Sequence, residues 1–184
     1  VGHRLRVAMM SSNTPLYVHM LLGVVCGGGV AIPMDPQMPM DTVCGCLNKA
    51  EADILLYEPT FNIDTDMLHR NCPKVSRVMN MSEGNYPNCT YIFDNYKDKE
   101  DMLDVSESDC ALILFTSGTT GEEKGVMLSN GNLVDSVFNT DHDKGFVKLN
   151  ILPMNHAFCL NADILLNFST QATVCMNGCL FYPT

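Results

Sequence analysis

After Thr14-Pro15, apolar residues recur at helical spacing: Leu16, Met20, Leu21, Val24 and Val25 form one stripe, which Gly27-Gly28-Gly29 ends. Thr14 suits the N-cap, and Pro15 at the first helical position gives up only an N–H that would be orphaned anyway. Val30-Ala-Ile-Pro33 is a short continuous apolar run, predicted as a buried strand, and Asp35-Pro36 turns the chain. Asp41 is placed to cap a second helix with Val43, Leu47 and Ala50 on one face. A strand is predicted over residues 53–57, a weaker helix over 64–70 and a strand over 74–79. Residues 96–109 are charged and poor in apolar side chains, as in an exposed connection. Further strands are predicted over 111–115, around 125–128, and over 146–152 and 172–176. Between them lie a helix capped by Ser129 or Asn130 and running to about residue 140, and a helix over 157–168 that Asn161 and Asn167 dilute.

Strands therefore alternate with helices. That order predicts an α/β fold, a parallel-rich sheet whose crossover helices cover its faces, with ligands bound at the carboxyl ends of the strands. The pattern contains no internal repeat and no low-complexity tract.

Composition narrows the partners. The chain has 184 residues, 46% of them hydrophobic, enough for one domain with a core. A net charge of −10 argues against nucleic acid and against an anionic membrane surface, since both demand a basic face. The most apolar window, 16–32, is broken by His19 and four glycines and falls short of the ~20 residues a membrane helix needs, so a soluble, cytoplasmic protein is expected. Nine cysteines form no repeated zinc-type pair, and no metal site is expected; reduced, buried thiols are the simplest reading. Asn-x-Ser/Thr sequons at Asn80, Asn88 and Asn167 are read as chance.

The chemistry concentrates in Leu112-Ile-Leu-Phe-Thr-Ser-Gly-Thr-Thr-Gly-Glu-Glu-Lys-Gly-Val126. An apolar strand ends abruptly in hydroxyls and glycines, followed by a lysine. Hydroxyls and backbone N–H groups donate to phosphate oxygens, glycine lets the backbone approach, and Lys124 adds a full charge. The segment is not a Walker loop: Gly118 and Gly121 are three apart, and Gly125 follows the lysine where a hydroxyl would be needed. A Rossmann G-x-G-x-x-G is also missing there.

Thr116-Ser-Gly-Thr-Thr-Gly121, resuming at Lys124-Gly-Val126, resembles the signature loop of the acyl-adenylate-forming (AMP-binding) enzymes: acyl-CoA synthetases, luciferases and peptide-synthetase adenylation domains. Leu22–Pro36, ending Pro-Met-Asp-Pro, is similar to the family's early segment, and Leu152-Pro-Met-Asn-His-Ala-Phe158 to its later Leu-Pro-x-x-His segment. The resemblance extends from about Ser11 to the end, with bacterial acyl-CoA synthetases the nearest in character.

That resemblance implies an ATP-dependent ligase that joins a small-molecule carboxylate to AMP, releases pyrophosphate, and passes the acyl group to coenzyme A or a carrier-protein thiol. Mg²⁺ would lie across the β- and γ-phosphates. Thr116, Ser117, Gly118, Thr119, Thr120, Gly121 and Lys124 would hold the phosphates, and His156 would line the acyl pocket beside the reacting carboxylate. The acid is left open among fatty, aryl and amino acids, with fatty acyl favoured. Many relatives carry proline before the loop lysine, whereas this chain has Glu122-Glu123, and both glutamates are expected to point to solvent.

The family's later Tyr-Gly-x-Thr-Glu segment, its ribose-binding aspartate and its small carboxy-terminal domain have no counterpart in the sequence. Residues 1–184 are therefore expected to be part of the large amino-terminal domain of such an enzyme, starting within that domain. On its own the chain should be inactive, should expose a strand edge, and should need the remainder of the enzyme to complete the fold. The alternative is a non-catalytic nucleotide-binding or interaction module, or a degenerate remnant.

Overall fold

The computed structural model describes residues 4–81, 105–117, 123–138 and 145–176. In chain order the elements are β1 (Arg6–Met10), α1 (Pro15–Cys26), β2 (Val30–Pro33), α2 (Met40–Lys49), β3 (Ile54–Tyr57), α3 (Thr65–Asn71) and β4 (Arg77–Asn80). There follow β5 (Cys110–Ser117), β6 (Glu123–Ser129), α4 (Asn130–Phe138), β7 (Val147–Asn150), a helical stretch and β8 (Thr173–Met176). The helical stretch is α5 (Ala157–Cys159), a π-helical segment (Leu160–Leu165) and α6 (Leu166–Thr170).

Among the described residues, six strands form one sheet in the order β4-β3-β1-β2-β5-β6. All its pairs are parallel except β5–β6, an antiparallel hairpin. Period-two alternation divides the core into two layers. Ala8 and Met10 of β1, Ile32, Leu55 and Ile113 face α2 and α3, where Val43, Leu47 and Leu68 are buried. Val7 and Met9, Ala31, Leu56 and Leu112 face α1 and the helical stretch, meeting Tyr17, Leu21, Cys159 and Leu160. Helices on both faces are what a sheet of parallel strands requires.

Local chemistry sets the helix ends. The Thr14 hydroxyl accepts from the Tyr17 N–H at 3.2 Å, and the Asp64 carboxylate from the Met67 N–H at 2.9 Å. After α1, Gly28 takes φ +74°, a left-handed turn that glycine adopts without a Cβ clash.

The structure corrects several expectations. The apolar pattern predicts nothing at Arg6–Met10, yet β1 is the strand flanked by β2 and β3. Asp41 does not cap α2: the helix starts at Met40 with Pro39 at the N-cap, and Asp41 lies in the first turn. The buried stripe of α1 is rotated, with Tyr17, Val18 and Leu21 inside and Leu16 36% exposed. Cys44, Cys46, Cys72 and Cys159 are buried free thiols, whereas Cys26 and Cys175 are exposed. Of the sequons, Asn167 is buried, and Asn88 lies outside the described residues. Residues 96–104 of the charged connection also lie outside them, while Asp109 pairs with Arg4.

Smaller and separate, β7 and β8 form a parallel pair. It is tied to the main sheet through side chains rather than a strand ladder. Asn13, just past β1, donates to the Asn150 Oδ1 at the end of β7. Among the described residues, no helix is long and apolar enough to cross a membrane.

Candidate functional site at the carboxyl end of the sheet

β5 carries the site. Ala111, Leu112, Ile113 and Leu114 are fully sequestered, and the strand reaches solvent where the hydroxyls begin, at Thr116. Its hairpin partner β6 places Lys124 opposite Thr116 and Glu123 opposite Ser117. Gly118, Thr119, Thr120, Gly121 and Glu122 lie outside the described residues.

The register sorts these side chains. Residues facing each other across an antiparallel ladder project to the same side, and neighbours along a strand project to opposite sides. Thr116 and Lys124 therefore share a face with Leu112, Leu114 and Leu128, the face that packs towards α1 and residues 152–160. Glu123 shares the other face with Ile113 and Phe115, which pack on α2. Lys124 is exposed. Glu123 is only partly exposed, so the expectation that it points to solvent needs amending: it turns away from Thr116 but towards α2. Its charge helps raise the Cys46 thiol to about 11, after burial and against the opposing pull of Lys49. The Lys49 Nζ also donates to the Glu123 carbonyl at 2.8 Å, fastening the start of β6.

A cleft of about 530 Å³ opens beside the end of β5. Leu114 and Thr116 form one wall; Leu152, Pro153, Asn155, His156 and Phe158 form the other. Thus Thr116 and His156, forty positions apart in the sequence, face the same space. His156 is exposed at the N-cap of α5; its N–H donates to the Pro153 carbonyl at 3.2 Å, and its own carbonyl accepts from Leu160 at 3.0 Å.

Beneath this wall is a polar network that the sequence reading did not anticipate. Asn13 and Asn150 are each 0% exposed, Cys159 also 0% and Asp163 5%. The Asn150 Nδ2 donates to the Asp163 Oδ2 at 3.1 Å, and the other Asp163 oxygen pairs with Lys148 at 2.8 Å. Burial pushes the Cys159 thiol up to about 12; the Asn150 donor pulls it down, and the Asp163 charge adds to the rise. At the ends of β1 and β3, the Glu58 carboxylate accepts from the Ser12 N–H at 2.8 Å, the Ser11 hydroxyl at 3.1 Å and the Ser12 hydroxyl. Burial would raise this carboxyl, but the hydrogen bonds outweigh it and hold Glu58 below the ordinary range. Only position hinted at these residues: Glu58 follows a predicted strand, and Ser11-Ser-Asn13 precedes a predicted helix.

On the α2 face, a smaller cavity of about 230 Å³ lies between Arg6, Lys49 and Met127. Arg6 is already engaged there, donating to the Ala50 carbonyl at 2.7 Å and to Glu51 at 3.0 Å. Among the described residues, no group of three or more His, Cys, Asp or Glu could hold a metal ion.

Comparison with known proteins gives this geometry a family. The model of the AMP-binding enzyme family matches residues 1–179. Syringomycin synthase SyrB1 of Pseudomonas syringae pv. syringae is 27% identical over 157 residues, 85% of this chain and 24% of that protein. The inhibitor-bound N-terminal domain of FACL13 from Mycobacterium tuberculosis is similar with a TM-score of 0.80 at 18% identity, covering 99% of this chain and 46% of that one. ATP-bound MatB from Rhodopseudomonas palustris is similar with a TM-score of 0.75 at 21% identity, covering 99% and 36% respectively. The chain spans less than half the length of these relatives. At such identities the structural likeness establishes the mixed α/β fold, and the family match reaches almost every residue of it: the chain belongs to the AMP-binding enzyme family.

Proposed function

We propose that this chain is the phosphate-gripping part of an ATP-dependent, AMP-forming ligase that activates a carboxylate and passes it to the thiol of coenzyme A or a carrier protein. The observation that carries this reading is the shared cleft: Thr116 and His156 line it, and Lys124 lies on the same face as Thr116. Donor chemistry fits the ligand. Hydroxyls and an exposed ammonium at the end of a parallel strand suit a polyphosphate, and the related MatB fold is seen with ATP bound.

In this reading Thr116, Ser117, Gly118, Thr119, Thr120, Gly121 and Lys124 hold the β- and γ-phosphates and then the pyrophosphate. A carboxylate oxygen bonds to the α-phosphorus as the bond to pyrophosphate breaks. Two anions must meet for this to happen, so donors aimed at the departing charge lower the barrier. Lys124 acts as a fixed charge and gives up no proton. His156 lines the acyl side and orients the carboxylate. Mg²⁺ bound across the phosphates would neutralise further charge.

Carboxylate-dependent ATP–pyrophosphate exchange tests the proposal. The longest polypeptide containing this chain should catalyse it, and Lys124→Ala should impair it. The 184 residues alone should bind pyrophosphate without exchange. Silence from the longer polypeptide would overturn the ligase reading, and robust exchange by the 184 residues would overturn their assignment as a part.

A further inference from the structure

We infer that Asn13 is a positioning residue for the His156 wall of the cleft, holding residues 152–156 in place from the far end of β1. Its side chain is 0% exposed and uses its whole amide. The Nδ2 donates to the Asn150 Oδ1 and to the Leu152 carbonyl, each at 2.6 Å, and the Oδ1 accepts from the Met154 N–H at 3.0 Å. The Leu152 carbonyl is held from a second side by the Cys159 thiol at 3.1 Å. Two residues after Met154, His156 is tied back to Pro153.

Asn13 is itself anchored. The preceding residue, Ser12, is bound by Glu58 through both its backbone and its hydroxyl. One amide therefore joins the carboxyl edge of the main sheet to the exit of β7, across 137 to 141 positions of sequence. No smaller or singly functional side chain can replace it: alanine leaves buried partners unsatisfied, and aspartate keeps the acceptor but loses both donors. Thr116 and Lys124 belong to β5 and β6 and make none of these bonds, so Asn13 should govern the His156 wall and leave the phosphate wall alone.

The positioning rests on geometry, and its consequence for catalysis rests on the ligase reading. Two measurements on the longest polypeptide containing this chain separate them. In hydrogen–deuterium exchange, Asn13→Ala should speed exchange at the amides of Leu152, Met154, Asn155 and His156 at least tenfold, with β3 unchanged. Asn13→Asp, which keeps the acceptor for Met154 but loses both donors, should still speed exchange there more than threefold. In pyrophosphate exchange, Asn13→Ala should raise the KM for the carboxylate at least tenfold and leave the KM for ATP within threefold, with Asn13→Asp intermediate. Lys124→Ala should show the opposite split. Unchanged protection of residues 152–156, equal rises in both KM values, or loss of folding in both variants would overturn the inference. The expected exchange pattern in an enzyme without activity would remove the ligase reading and keep Asn13 as the positioning residue.

Discussion

Lys124 and Glu123 are adjacent on one strand, and replacing each should have very different effects on phosphate binding. Lys124 projects to the cleft face with Thr116, whereas Glu123 projects to the α2 face near Cys46. A phosphate charge ~4 Å from the ammonium gains about 1 kcal/mol in water and about 4 at an effective dielectric of 20. Lys124→Ala should therefore weaken pyrophosphate and ATP binding between about fivefold and several hundredfold. The exposure of Lys124 favours the lower part of that range. Glu123 lies on the opposite face, and for a separation of about 10 Å from such a phosphate the repulsion in water is about 0.4 kcal/mol before salt reduces it further. Glu123→Gln should change affinity less than about twofold. Isothermal titration calorimetry of both variants with pyrophosphate, at physiological ionic strength, gives the two numbers directly. A gain of more than tenfold from Glu123→Gln would require the carboxylate within contact distance of the phosphate and would refute the register argument, as would unchanged binding by Lys124→Ala.

Other positions yield independent checks. The Tyr17 hydroxyl is buried with no hydrogen-bond partner among the described residues, so Tyr17→Phe should leave stability unchanged or raise it by about 1 kcal/mol in urea denaturation. Lys148→Met strands the nearly buried Asp163 carboxylate and should cost about 3 kcal/mol by the same measurement, with much of the loss recovered when Asp163→Leu is added. Glu58 has a depressed folded-state pKa, so its contribution is present above the ordinary carboxylate value and is lost as pH falls through the folded value. The stability difference between wild type and Glu58→Gln should accordingly shrink in acid-titrated melts; a difference that grows towards low pH would reverse the assigned sign.

The sequence made most of this architecture legible, because helix caps and apolar periods are local signals. Thr14-Pro15 caps where expected, and the helix predicted over 64–70 and the strands at residues 30–33 and 54–57 fall within a residue of their predicted bounds. β1 was not read from the sequence: Val7-Ala-Met-Met10 is a brief apolar run, bounded only on its carboxyl side by Ser11-Ser-Asn13, and its strand character comes from pairing with β2 and β3 on both sides. The antiparallel return of β6 was not drawn either, although the connection between residues 115 and 125 carries no predicted helix and is too short for a crossover. The loop's residues were named from their pattern, but the division of Lys124 and Glu123 between two faces needed the ladder register. Asn13, Asn150 and Asp163 were invisible for a different reason. Asn13 reads locally as a turn residue, Asn150 as a strand position and Asp163 as a helix position, and their partners lie far along the chain or in another element.

Whether phosphate is gripped on the cleft side of the β5–β6 hairpin is measured most directly by NMR shift mapping with ATP and with pyrophosphate. The account predicts perturbation of the Thr116 and Lys124 amides by both ligands, and of the His156 imidazole by ATP, with Arg6, Lys49 and Met127 unmoved. Shifts centred on Arg6, Lys49 and Met127, on the α2 face, would contradict it.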